Sequence, residues 1–140
     1  MYAREGSRVL THDPETHKDW NFHRGEIYLV NLNPFVGSEQ GGTRPCVILQ
    51  NDDGNYYCPT VIIAPLTTVM KKTKQPTHCY LGKTAALTDP SMACLEQIRT
   101  IDKSRLWHFL GRLTKEQMEK IDDAIRKSLG IYIPETVEAP

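Results

Sequence analysis

Five short apolar runs, each closed by turn or breaker chemistry, constrain this chain more than any other feature. They are Glu26–Leu32, Pro45–Gln50, Thr60–Thr67, Thr77–Leu81 and Ala93–Ile101. All draw on Val, Ile, Leu, Thr or Tyr, the residues that fit a pleated and buried surface. Pro34 stops the first run, and Asn51-Asp52-Asp53-Gly54-Asn55 reads as a tight reversal after the second. Pro65 has no N–H to give to a ladder, so the end of the third run belongs at an edge or a bulge. Short strands at such spacing point to a small barrel or sandwich. One helix follows. Thr114 can cap it, Gln117 completes a capping box, and Leu113 can staple onto Met118. Met118, Ile121, Ile125 and Leu129 then recur on one face, and Gly130 supplies the stop. The expected fold class is mostly β, an antiparallel sheet with a C-terminal helix.

Residues 1–23 break this pattern. They are polar, carry Pro14 and the scattered His12, His17 and His23, and lack sustained periodicity, so they read as an N-terminal arm. Residues 132–140 read as a C-terminal tail. Between them, 24–131 form one expected domain, and 140 residues can bury a respectable core. No apolar run approaches the roughly 20 residues that span a bilayer, and Met1–Arg8 contains no apolar signal core. The expectation is a cytoplasmic protein without membrane contact. Cys46, Cys58, Cys79 and Cys94 form no C-x-x-C pair, which argues against a zinc motif; three lie in apolar or alternating runs, and they read as structural thiols, not bridges. The formal net charge of zero does not favour a nucleic-acid binder, but the distribution is uneven. Residues 25–112 hold nine basic and seven acidic groups, and 113–140 hold four and six. Lys71, Lys72 and Lys74 are the tightest basic cluster.

Candidate chemistry concentrates in Gly37-Ser38-Glu39-Gln40-Gly41-Gly42-Thr43-Arg44-Pro45. This glycine-rich, polar segment delivers one arginine to the start of an apolar strand. Arginine's planar fork of donors matches phosphate and stays charged at any working pH. By composition alone the segment reads equally as a surface loop with an ordinary salt-bridging arginine. The common catalytic kits are missing: no G-x-S-x-G, no Walker loop, no H-E-x-x-H. His78 reads as a hydrogen-bonded structural residue. Glu96, Gln97 and Arg99 sit within the fifth run, where they need a partner or a polar site. Alternation sets Gln97 and Arg99 on one face and Glu96 on the other. Glu96 then reads either as half of an ion pair with an arginine or, with its neighbours, as a polar floor beneath the Gly37–Thr43 loop. Phe35, Tyr56 and Tyr57 are candidates for stacking on a ligand, Phe35 foremost because it precedes that loop; Tyr28 reads as core.

Five segments occur in order: Arg24–Tyr28, Gly37–Pro45, Pro59–Ala64, Pro76-Thr77-His78 and Leu95–Lys103. Together they resemble the MazF/PemK family of toxin endoribonucleases. The resemblance implies a small SH3-like antiparallel β-barrel with a C-terminal helix, acting as a homodimer. It implies cleavage of single-stranded RNA at a short sequence motif, without metal or cofactor, by attack of the adjacent 2′-hydroxyl. The family's arginine and threonine fall on Arg44 and Thr67, with Glu39 as a candidate base. Ser38, Gln40, Thr68, Glu96 and Gln97, with Phe35, are the implied RNA-holding residues. A MazE-type antitoxin with a disordered acidic segment is the implied partner, and DNA contact is expected only through that complex. Two rivals share the implied barrel: a CcdB-like gyrase inhibitor, and an SH3-like binding module without catalysis.

Overall fold

The computed structural model describes residues 22–84 and 87–131. The expected tail and all but the last two residues of the expected arm lie outside them. Along the chain run β1 (Glu26–Asn31), β2 (Thr43–Ile48), α1 (Asp52–Tyr57), β3 (Thr60–Thr67), β4 (His78–Thr84), β5 (Leu87–Cys94), β6 (Arg99–Asp102), β7 (Leu106–Arg112) and α2 (Lys115–Ser128). Single 3₁₀ turns at Leu95–Gln97 and Lys103–Arg105 flank β6. Every ladder is antiparallel. The strand path is β4-β5-β3-β2-β1-β7, with β6 branching from β3, and the sheet curls into a half-barrel.

The near-continuous apolar runs follow from burial on both faces of the sheet. Ile27, Val47, Ala64, Leu66 and Ala93 face one core, which α2 closes with Ile121 and Ala124. Tyr28, Val30, Cys46, Ile48, Val61 and Ile63 face a second core with Ile101, Leu106 and Phe109. Helix α2 has the expected capping box, in which Thr114 accepts from Gln117 N and the Gln117 side chain returns to the cap. Gly130, at φ +74°, ends it as expected. Leu129 is corrected: it caps the helix and is exposed, and the buried face is completed by Ala124 instead. Ile121 is fully buried against the sheet. Ile121→Ala should therefore cost about 2–5 kcal/mol, read as a lowered denaturation midpoint with unchanged slope.

Three other departures have physical causes. Asn51–Asn55 is not a reversal: Asn51 accepts from Gly54 N at 2.8 Å and caps α1, with Asp52 and Asp53 in its first turn. The same short polar residues that write a turn also write a helix start. The run Ala93–Ile101 is not one strand, because the turn Leu95–Gln97 separates β5 from β6. Strand β7 lies outside the five apolar runs, and its pairing with β1 shifts register twice. Pro65 takes a place consistent with its missing donor. On one side it pairs Cys46, and on the other it falls in the gap where β3 changes partner from β6, at Ile63, to β5, at Leu66.

Candidate functional site

The Gly37–Pro45 segment is anchored at its base by Leu32 and Asn33, just after β1, which Arg99 of β6 and Arg105 of the Lys103–Arg105 turn hold in place. Leu32 N donates to Gly42 O at 2.9 Å, and Gly42 N donates to Asn33 Oδ1 at 2.9 Å. Arg99 Nη1 donates to Leu32 O at 2.8 Å, and Arg105 Nη1 to Asn33 O at 2.7 Å. Within the loop, Glu39 Oε1 accepts from Val36 N at 2.6 Å. Phe35 is half exposed and lies on Gly41, where an added Cβ would stand 1.9 Å from the ring. Gly41 is thus a close-approach glycine that seats the aromatic ring on the loop.

Arg44 leaves this loop as the second residue of β2. Its Nε donates to Gly41 O at 2.9 Å, which holds the guanidinium and leaves the terminal nitrogens to donate elsewhere. The register Cys46↔Pro65, continued two residues, brings Thr67 opposite Arg44. Both residues line one cleft of about 300 Å³, together with Thr68, Asp89 and Ser91. The Thr67 hydroxyl oxygen accepts from Val69 N at 3.1 Å, so its hydrogen is the part left to offer a ligand. A fixed guanidinium and an oriented hydroxyl on adjacent strands are donors that an anion can accept from together.

A second cleft of about 270 Å³ flanks the same stretch of β3 and holds the carboxylates and carboxamides. Glu39, Gln40, Glu96, Gln97 and Arg99 all line it, over Ile63 and Pro65. Gln40 N donates to Gln97 Oε1 at 3.3 Å, tying the loop to the Leu95–Gln97 turn. The expected alternation of Glu96 and Gln97 is corrected here: a 3₁₀ turn advances about 120° per residue, unlike a strand, and so both reach one cleft. Among the described residues Glu96 pairs with His78, at 2.7 Å, and not with an arginine.

The structure thus brings Arg44, Thr67 and Thr68 together in one cleft, and Glu39, Gln40, Glu96 and Gln97 in the other. Phe35 and Ser38 line neither; both stand exposed on the loop above. Tyr28 is core, packed edge-on to Phe109. Asp89 and Ser91 were not anticipated. Their signal was hidden because Leu87–Pro90 has no apolar alternation to mark it as a strand.

A profile of the PemK-like, MazF-like toxins of type II toxin–antitoxin systems matches residues 23–129. The chain is 49% identical over 110 residues to the protein named endoribonuclease MazF from Staphylococcus saprophyticus, covering 78% of this chain and 92% of that one. Among solved structures, a mycobacterial endoribonuclease in complex with its cognate antitoxin superposes with TM-score 0.68 at 28% identity, over 81% of this chain and all of that one. MazF from Deinococcus radiodurans superposes with TM-score 0.70 at 22% identity, over 80% and 99% of the two chains, and confirms the fold. The expected antiparallel β fold with a C-terminal helix is therefore the fold of this family, and the profile match disfavours the gyrase-inhibitor alternative. With the matched profile spanning its loop, both clefts and α2, the chain belongs to the PemK-like, MazF-like toxins of type II toxin–antitoxin systems.

Proposed function

We propose that the chain is an endoribonuclease that cuts single-stranded RNA at a short sequence motif and so blocks translation. The observation that carries this reading is the meeting of Arg44 and Thr67 in one cleft beside a separate cleft of carboxylates and carboxamides. One cleft suits a phosphate, the other the exposed edges of unpaired bases, where Glu and Gln accept from exocyclic amines and Gln donates to ring acceptors. Phe35, held on Gly41, offers a stacking face at the loop.

In this reading the ribose 2′-hydroxyl attacks the adjacent phosphorus and the P–O5′ bond breaks. The products are a 2′,3′-cyclic phosphate and a 5′-hydroxyl. The 2′-hydroxyl proton is lost and the departing 5′-oxygen gains one. Arg44 donates charge-assisted bonds to the phosphoryl oxygens, which strengthen as negative charge grows in the pentacoordinate state. Thr67 donates to a phosphate oxygen or aligns the 2′-hydroxyl. Glu39 sits in the neighbouring cleft and serves RNA holding better than proton transfer. No metal or cofactor enters this scheme.

The protein acts as a homodimer in the cytoplasm, neutralised by a MazE-type antitoxin whose disordered acidic segment folds over the Arg44 cleft. The mycobacterial relative solved with its cognate antitoxin supports such a partner. Among the described residues no helix is long and apolar enough to cross a membrane. Contact with DNA is assigned to the toxin–antitoxin complex. Incubation of the purified chain with RNA in excess chelator should yield discrete fragments, and a parallel gyrase supercoiling assay should show no inhibition. Intact RNA with inhibited supercoiling would assign the CcdB-like function instead.

A further inference from the structure

The β4–β5 hairpin assembles three ligand-type side chains that no sequence spacing connects. His78, at the start of β4, is the direct cross-strand partner of Cys94, at the end of β5. Such partners carry their Cβ atoms about 4.5–5.5 Å apart. Glu96 follows two residues later, on the Leu95–Gln97 turn. One donor atom from each of His78, Cys94 and Glu96 lies within 4.8 Å of the other two. Among the described residues no other trio of His, Cys, Asp or Glu meets in this way.

The hydrogen bonding around the imidazole shows what the trio accommodates. His78 Nδ1 lies 2.9 Å from the carbonyl oxygen of Lys72, which only accepts, so Nδ1 carries a hydrogen. The other ring nitrogen, Nε2, then faces Glu96 Oε2 at 2.7 Å. Two lone-pair donors at that separation need a positive particle between them, either a proton or a metal ion. Glu96 is steered by its second oxygen, since Thr77 Oγ1 donates to Oε1 at 3.4 Å and is itself held by Gln75 Nε2 at 2.8 Å. A histidine fixed through Nδ1 to a backbone carbonyl, with an oriented carboxylate beside it, is the usual outer support of a metal ligand set.

We propose that His78 Nε2, Cys94 Sγ and Glu96 Oε2 form a divalent-metal site of zinc type, with three protein ligands and a fourth position for water. Imidazole, thiolate and carboxylate are the donors zinc takes, at bonds of about 2.0–2.3 Å that set tetrahedral donors about 3.3–3.8 Å apart. The present cluster needs an adjustment of about 1 Å in side-chain positions to reach that geometry. Thiolate and carboxylate together neutralise the ion. Binding breaks the Cys94 S–H bond, and that proton, with the one shared by His78 and Glu96, goes to solvent. The site lies behind the carboxamide cleft, and its occupation fixes the turn that carries Gln97.

The test uses the full chain with zinc or cobalt chloride alone. Cobalt should bind with one equivalent per chain and give a thiolate-to-cobalt absorption band in the near ultraviolet, which zinc then displaces. Zinc at a hundredfold excess over its Kd should raise Tm by about 5 °C or more. Cys94→Ala should abolish the band, and Glu96→Gln should weaken zinc at least about tenfold. Cys58→Ser, which alters the exposed thiol away from the trio, should leave both signals intact. No thiolate band in the unaltered chain, a band that survives Cys94→Ala, or one that disappears in Cys58→Ser would each overturn the site. None of these readouts uses RNA cleavage, so failure here and failure of the nuclease reading are separate results.

Discussion

Arg44→Ala should lower RNA cleavage on the order of 10²–10³-fold while the chain remains folded, as cleavage rates and circular dichroism would together show. The expectation rests on placement. Arg44 sits near the start of β2, half-buried, with one hydrogen bond from Nε to Gly41 O. Removing its side chain vacates no core position, since the buried part of β2 is Cys46, Val47 and Ile48. What disappears is the pair of terminal donors proposed to face growing phosphoryl charge. Arg44→Lys should recover little, because a single ammonium cannot reproduce two fixed donors in a plane. Cleavage by Arg44→Ala within a few-fold of the unaltered rate would remove Arg44 from the mechanism.

An RNA with a single 2′-deoxy nucleotide at the scissile position should give no detectable product. This is the largest effect the account predicts, because the substitution deletes the nucleophile and leaves every protein contact in place. In the proposed scheme Arg44 and Thr67 stabilise and align the phosphate, and neither takes the place of the missing 2′-hydroxyl. The modified RNA should still compete for binding with its unmodified counterpart, since the base contacts assigned to Glu39, Gln40, Glu96 and Gln97 are unchanged. Cutting at the deoxy position would require water as nucleophile and a different site chemistry.

Local residue chemistry made much of the fold and half of the site legible. The capping box at Thr114 and Gln117 and the stop at Gly130 depend on neighbours in sequence and were readable there. So were the apolar runs of β1 and β3, because burial on both faces leaves no polar alternation to confuse them. The Leu95–Gln97 turn was hidden inside an apolar stretch, and with it the convergence of Glu96 and Gln97 on one cleft. Asp89 and Ser91 reach the Arg44 cleft only through the pairing of β3 with β5, a long-range contact that no local pattern encodes. The same pairing logic sets His78 opposite Cys94, although the cysteine spacing contains no metal motif. Composition left the Gly37–Pro45 loop undecided. The register that sets Thr67 across from Arg44 is what favours the anion site.

The most direct measurement is the chemistry of the ends. A long RNA incubated with the purified chain in excess chelator, with all new termini identified, should show 5′-hydroxyl and 2′,3′-cyclic phosphate ends clustered at one short unpaired motif. The Arg44→Ala protein, assayed in parallel, should leave the same sites intact. Termini bearing 5′-phosphates, or cleavage that disappears with chelator and returns with added magnesium, would contradict the account.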